Sequence, residues 1–144
     1  MVLKIKDIMT KDVKTVSESC TIQEVAEHMR KLNVGSIPVC NESNKLVGMI
    51  TDRDMVIRGL TSGGDSNMPV SQVMSTNPVT IGPDTGVHEA ARVMAKNQIR
   101  RLPVVENSEV IGIVSIGDLA IRDIYVNEAG DALSSISEQN GTLM

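Results

Sequence analysis

The sequence has no tryptophan and no phenylalanine, and Tyr125 is its single aromatic residue. Without aromatic platforms it cannot stack the bases of a single-stranded nucleic acid in the usual way. An excess of basic charge is missing too: 14 Lys and Arg face 18 Asp and Glu, for a formal net charge of -4. Nucleic-acid binders draw much of their affinity from neutralising phosphates, so this balance argues against that class. Cysteine is scarce, and Cys20 and Cys40 form no Cys-x-x-Cys pair. Two such residues make no disulfide framework and read as buried or idle thiols. Long apolar runs are also lacking, since none approaches the roughly 18 residues of a membrane span. The opening stretch "MVLKIKDIMTKD" has neither the apolar core nor the small-residue cleavage pattern of a secretory signal. Together these absences lead us to expect a cytoplasmic protein with no nucleic-acid and no membrane partner.

What is present is aliphatic. Nine Met and many Val, Ile and Leu must fill the interior, giving an adaptable core. The 144 residues suit one domain or two small halves sharing a core.

The chain is repetitive. "DIMTKDVKTV" from Asp7 lies over "QVMSTNPVTI" from Gln72 at an offset of 65. The same offset lays residues 22–39 over 87–104, matching Glu24 to Glu89, Met29 to Met94 and Pro38 to Pro103. One residue is then lost, and an offset of 64 carries "GMITDRD" (48–54) onto "GIVSIGD" (112–118). Such distributed self-similarity marks a duplicated structural unit.

Within each half, apolar residues recur at helical spacing: Ile22, Val25, Ala26, Met29 and Leu32, then Val87, Ala90, Ala91 and Met94. Thr21 and Glu24 make a capping box for the first of these helices. The runs "SIPVC" and "LVGMIT", and likewise "LPVV" and "VIGIVS", are bounded by polar turns and read as buried hairpin strands. "MVIRGL" and "LAIRDIYV" return to helix. The expected unit is strand, helix, strand, strand, helix. A half of about 60 residues buries little core by itself, so the two halves are expected to pack sheet to sheet about a pseudo-twofold axis. The boundaries are residues 1–60 for the first repeat, 61–69 for a linker, 70–126 for the second repeat and 127–144 for a C-terminal tail.

Each half carries one polar signature, a hydroxyl residue at a strand end with a carboxylate three positions later: Thr51 with Asp54, and Ser115 with Asp118. A hydroxyl can donate to a phosphate or ribose oxygen, and a carboxylate can accept both hydrogens of a ribose diol. The same residues are also good helix caps. On residue chemistry alone, capping and ligand binding stay open as alternatives. Arg53, Arg100 and Arg101 offer guanidinium groups suited to phosphate. Gly35 and Ser36 occupy the first-half positions of Arg100 and Arg101, and Ile116 is set opposite Arg53, so the two junctions are unequal. His28 and His88 have no neighbours at metal-ligand or catalytic spacing and read as structural or surface residues. No nucleophile with a partnering base can be picked out, so no enzyme is expected.

The paired "IPV…GMITDRD" and "RRLPV…GIVSIGD" stretches, spanning roughly residues 5 to 125, resemble a tandem CBS-domain pair, or Bateman module, of the short stand-alone bacterial and archaeal type. The resemblance implies an α/β (α+β) fold of two β-α-β-β-α repeats. It further implies a regulatory module that senses an adenine nucleotide, AMP, ADP or ATP, or another adenosyl compound, in the cleft between repeats. Carried over by position, the first site comprises Thr15, Ile37, Pro38, Met49, Ile50, Thr51 and Asp54, and the second comprises Thr80, Leu102, Pro103, Ile113, Val114, Ser115 and Asp118. Arg53 joins the first, and Arg100 and Arg101 the second, on their chemistry toward phosphate. Homodimerisation and a regulated partner protein are implied, with no metal and no obligatory cofactor. The alternative is a ligand-free interaction or dimerisation module whose junctions only cap helices, and a nucleotide hydrolase is a remote third reading.

Overall fold

The computed structural model describes residues 3–121 and Ile136. Two compact α/β units emerge: Lys14–Pro78, and Met1–Val13 together with Val79–Met144. This division cuts across the repeats, because the opening thirteen residues join the second half.

In the Lys14–Pro78 unit, β1 (Val16–Ser17), β2 (Ser36–Cys40), β3 (Leu46–Thr51) and β4 (Ser75–Thr76) form one sheet in that order. β1 runs parallel to β2, and the other neighbours are antiparallel. Helix α1 (Ile22–Leu32) lays Ile22, Val25 and Met29 into a cluster with Val16, Ile37, Val39 and Ile50. Burying an aliphatic side chain of this kind contributes about 1.5–3 kcal/mol. Ala26 and Leu32, read from periodicity as part of this face, are exposed. The chain leaves α1 through Asn33 in the left-handed conformation, at φ 54°, one of the few residue types that accepts it readily.

The second unit follows the same plan. β5 (Arg101–Glu106) and β6 (Glu109–Ser115) form a hairpin turned through Asn107 and Ser108, both at positive φ. Such a two-residue turn matches the twist of the strands. Helix α3 (Val87–Asn97) buries Val87, Ala90, Ala91 and Met94 against Leu102, Val104 and Val114. The strand expected at the start of each repeat is short: two residues in β1, and a single parallel bridge, Ile81 to Val104, in its counterpart.

Helix α2 (Asp52–Asp54) continues as a π-helical stretch, Met55–Leu60, and α4 (Ile116–Ile121) follows the second junction. The helix expected at "MVIRGL" is therefore present but wound more widely, with Gly59 buried and Val56, Ile57 and Leu60 exposed. The expected helical run "LAIRDIYV" begins inside α4, where Leu119 is fully buried. Its remainder, 122–126, and the tail 127–144 lie outside the described residues, apart from Ile136, which is helical and buried.

The segments that open each repeat close the sheets. Residues Ile5–Asp7 and Val70–Gln72 each form a 3-10 turn, and Ile5 and Val70 are fully buried. Thr10 then bridges Ile113 of β6, as Ser75 of β4 bridges Met49 of β3. The segment opening the second repeat thus completes the first unit, and the segment opening the first repeat completes the second. The same segments satisfy helix N-termini, whose first N–H groups have no partner within the helix. Ile22 N donates to Met68 O at 2.9 Å and Gln23 N to Ser66 O at 3.1 Å, while Val87 N donates to Leu3 O at 3.3 Å. The stretch 61–69 is therefore held against α1 at Ser66, Met68 and Pro69. Thr21 Oγ1 accepts from Glu24 N at 3.2 Å and donates to Glu24 Oε1 at 3.3 Å. This is half of the expected box, and Gly86 gives α3 no side-chain cap.

The closing segments cross directly over glycine. A Cβ on Gly48 would lie 2.6 Å from Met74 Sδ and 2.7 Å from Ser75 O. On Gly112 it would lie 2.9 Å from Met9 Cγ and 3.0 Å from Thr10 O, with Met9 Sδ closer still. Met74 can turn aside, but the backbone oxygen cannot without moving β4. We expect Gly48→Ala and Gly112→Ala each to cost about 1–3 kcal/mol in urea unfolding, as overpacking does. Gly117→Ala, whose Cβ would meet only Ser115 Oγ at an ordinary 3.5 Å, should instead be neutral or add up to about 1 kcal/mol. Equal losses at all three positions would refute the close-approach account.

Candidate functional site

Each set of site residues expected from the sequence falls inside one unit. Strand register sorts its members by face. In the hairpin β2–β3, Ser36 pairs with Thr51, Ile37 with Ile50 and Pro38 with Met49. Side chains alternate across a strand, so Ile37 and Ile50 point into the α1 cluster. Ser36, Pro38, Met49 and Thr51 share the other face. In β5–β6 the corresponding pairs are Arg101 with Ser115, Leu102 with Val114 and Pro103 with Ile113. Leu102 and Val114 belong to the α3 core, while Arg101, Pro103, Ile113 and Ser115 take the opposite face. The side chains of Ile37, Ile50, Leu102 and Val114 are thus committed to packing, and only their backbone is placed to meet a ligand.

At the strand ends both junctions form the same reciprocal box. Asp54 N donates to Thr51 Oγ1 at 3.0 Å and Thr51 N donates to Asp54 Oδ2 at 3.0 Å. Asp118 N donates to Ser115 Oγ at 3.2 Å and Ser115 N to Asp118 Oδ2 at 2.8 Å. A staple across the hairpin fixes the entry of each helix: Asp52 N donates to Gly35 O at 3.0 Å, and Ile116 N to Arg100 O at 2.9 Å. These contacts confirm the capping half of the alternative read from the residues. They do not exhaust the groups. Each carboxylate uses Oδ2 and keeps Oδ1, and each hydroxyl accepts while its own hydrogen stays available to donate. All four residues are partly exposed.

The surroundings differ. With Thr51 superposed on Ser115, Arg53 falls on Gly117 and Asp52 on Ile116, so setting Ile116 opposite Arg53 was one residue out of step. Asp52 Oδ1 accepts from Arg53 N at 2.8 Å. A Cβ built on Gly35 would stand 3.3 Å from Asp52 Oδ2, which places that carboxylate over the position from which the Arg100 side chain starts in the other unit. Ser36 Oγ is buried with no hydrogen-bond partner, whereas its counterpart Arg101 is exposed, as are Arg53 and Arg100.

Thr15 and Thr80 separate in the same way. Thr15 hydrogen-bonds the Cys40 thiol, but Val105 stands at the matching place beside Thr80, which is exposed. Burial pushes the Cys40 thiol above its ordinary range, and the Thr15 hydroxyl draws it partly back. Cys20, at the foot of α1, is likewise raised mainly by burial, so neither cysteine is an activated thiolate. Sequence reasoning did not single out Ser36, Asp52 or the Thr15–Cys40 contact. The available signal was the Gly35-Ser36 and Asp52 mismatch with Arg100-Arg101 and Ile116.

A family model for the CBS domain matches residues 5–59 and again 70–124. This chain belongs to the CBS-domain family. It is a CBS pair close to CBS domain-containing protein YhcV of Bacillus subtilis, with 48% identity over 136 residues, 94% of this chain and 96% of that one. The crystal structure of hypoxic response protein I, with two coordinated zinc ions, matches with a TM-score of 0.77 and 33% identity over 83% of this chain and 98% of that chain. Among the described residues of this CBS pair no group of three or more His, Cys, Asp or Glu side chains is arranged to hold a metal. The CBS domain pair of protein MJ0100, solved in complex with 5′-methylthioadenosine and S-adenosyl-L-methionine, matches with a TM-score of 0.75 and 30% identity over 84% of this chain and 95% of that chain. Among the described residues no helix is long and apolar enough to cross a membrane.

The two-way box makes a stability test available without any ligand. Asp54→Ala and Asp118→Ala should each lower unfolding free energy by about 0.5–2 kcal/mol, the cost of a lost cap. Asp54→Asn and Asp118→Asn keep a carbonyl oxygen for the strand-end N–H and should cost less. Urea unfolding that ranks Asn with Ala would mean that the carboxylate charge, not the acceptor, holds the junction.

Proposed function

We propose that this CBS pair is a non-enzymatic regulatory module that binds an adenine nucleotide or a related adenosyl compound at its strand-to-helix junctions. The observation that carries the reading is the spare chemistry of the boxes: in each unit one carboxylate oxygen and one hydroxyl hydrogen remain after capping is complete. A ribose diol needs the first, and a ribose or phosphate oxygen accepts the second. Pro38 with Met49, and Pro103 with Ile113, share the sheet face of the boxes. All but Met49 are buried, so a base would pack at the edge of this apolar layer, the usual mix of a small-ligand site. The adenosyl ligands of MJ0100, a structural relative, support the class of compound. Thr15, Thr80, Arg53, Arg100 and Arg101 complete the proposed sites, with Ile37, Ile50, Leu102 and Val114 contributing backbone only. Regulation follows if the ligand favours one arrangement of the protein over another and a partner protein reads the difference.

A second reading rests on the completeness of the caps: an interaction module that needs no ligand. Calorimetric titration of nucleotide-free protein with AMP, ADP, ATP and S-adenosylmethionine separates the two. We expect micromolar binding of at least one compound, lost in Asp54→Asn or Asp118→Asn although the variant stays folded. No heat from any compound would favour the ligand-free module.

We also propose a cytoplasmic homodimer. Val56 and Ile57 are just over half exposed, Leu60 is two-thirds exposed, and all three lie along one short helical stretch. Apolar residues clustered in this way mark association surfaces. Light scattering should give twice the chain mass for the natural protein and a monomer for the double substitution Ile57→Glu, Leu60→Glu. A dimer that survives both changes would place the interface elsewhere.

A further inference from the structure

The two junctions differ in charge at four matched places. Gly35 against Arg100, Ser36 against Arg101 and Asp52 against Ile116 all make the second junction more positive, and Arg53 against Gly117 opposes them. Arg101 pairs across the hairpin with Ser115, on the same face as the hydroxyl, at the roughly 5 Å separation of cross-strand neighbours. The box is therefore within the length of its side chain. At the matching place Ser36 pairs with Thr51, and its buried hydroxyl has no partner. Next to it, Asp52 covers Gly35 with a carboxylate, where the other unit has Arg100 and, in place of Asp52, the uncharged Ile116. Arg53 offsets only one of the two carboxylates in its own junction. The Ser36 junction is left net negative, and the Arg101 junction net positive.

We propose that the junctions divide adenosyl ligands by charge. The Arg101–Ser115 junction takes a phosphorylated adenosine, and the Ser36–Thr51 junction takes an adenosyl compound that carries no phosphate. The division rests on the reading of both junctions as adenosyl sites. Guanidinium groups meet phosphate oxygens in charge-assisted pairs, while Asp52 and Asp54 repel an anion held at the same distance. Ser36 brings no charge to its junction, and the nearby carboxylates tolerate a cationic ligand.

The test uses AMP and 5′-methylthioadenosine, titrated calorimetrically into the full chain and into Arg101→Ser and Ser36→Arg. In the natural protein each compound should bind, and a saturating amount of one should leave the other's binding in place. Arg101→Ser, at an exposed position, should weaken AMP by about ten- to a hundredfold, the worth of a hydrogen bond to a charged group, and leave 5′-methylthioadenosine unchanged. Ser36→Arg should add AMP binding to the other junction and weaken 5′-methylthioadenosine. Competition between the two compounds for one site, or an AMP affinity indifferent to Arg101, overturns the division while leaving adenosyl binding intact. Failure of both compounds to bind the natural protein overturns the division, and if ADP, ATP and S-adenosylmethionine also give no heat, the adenosyl reading falls with it.

Discussion

The contact on which both units depend is a methionine laid across a glycine. Met74 crosses Gly48 and Met9 crosses Gly112, and in each case the following residue bridges the strand that leads into the strand-to-helix junction. A side chain at either glycine would push the closing segment away by colliding with its backbone. The glycine that begins "GMIT" and "GIVS" is therefore fixed by what passes over it, not by a turn. Its position sets how far β3 and β6 run before the chain enters a helix, and so where Thr51 and Ser115 stand.

At the junction itself, stability and the proposed binding draw on the same four side chains. Carboxylate and hydroxyl each use one capability on the backbone and keep another. Capping holds the group in one geometry, which lowers the entropy lost when a ligand is bound. The boxes are equal and their neighbours are not. Duplication preserved the part that the fold requires and let the flanking positions, exposed or next to solvent, drift in charge.

Much of this was legible in the sequence because it is written locally. The helical stripes of α1 and α3, the hairpins, the hydroxyl-to-carboxylate spacing and the repeat itself each need only a short window. The exchange of closing segments did not show. Ile5, Met9 and Thr10 look like the natural start of the first repeat, and the match of "DIMT" to "QVMS" says that they are equivalent, not which sheet they enter. The faces of the hairpin strands were hidden for another reason: both are apolar, so Ile37 and Pro38 look alike until register separates core from site. The Thr15–Cys40 bond, formed between the residue before β1 and the end of β2, has no signature along the chain. Leu32 misled because its spacing fits the buried stripe, yet it lies at the last residue of α1, where the helix ends.

The exchange also imposes an order of assembly. The Lys14–Pro78 unit is one unbroken stretch, and everything it needs has emerged from the ribosome once β4 is made. The other unit joins the first thirteen residues to partners over a hundred positions away, as with Thr10 and Ile113. Long-range closures of this kind form late and slowly. During synthesis, Ile5 and Met9 must wait unburied until β6, the last described strand, has been made. Non-local closure leaves apolar surface exposed in the interval, and here that surface is carried by the segment that opens the first repeat.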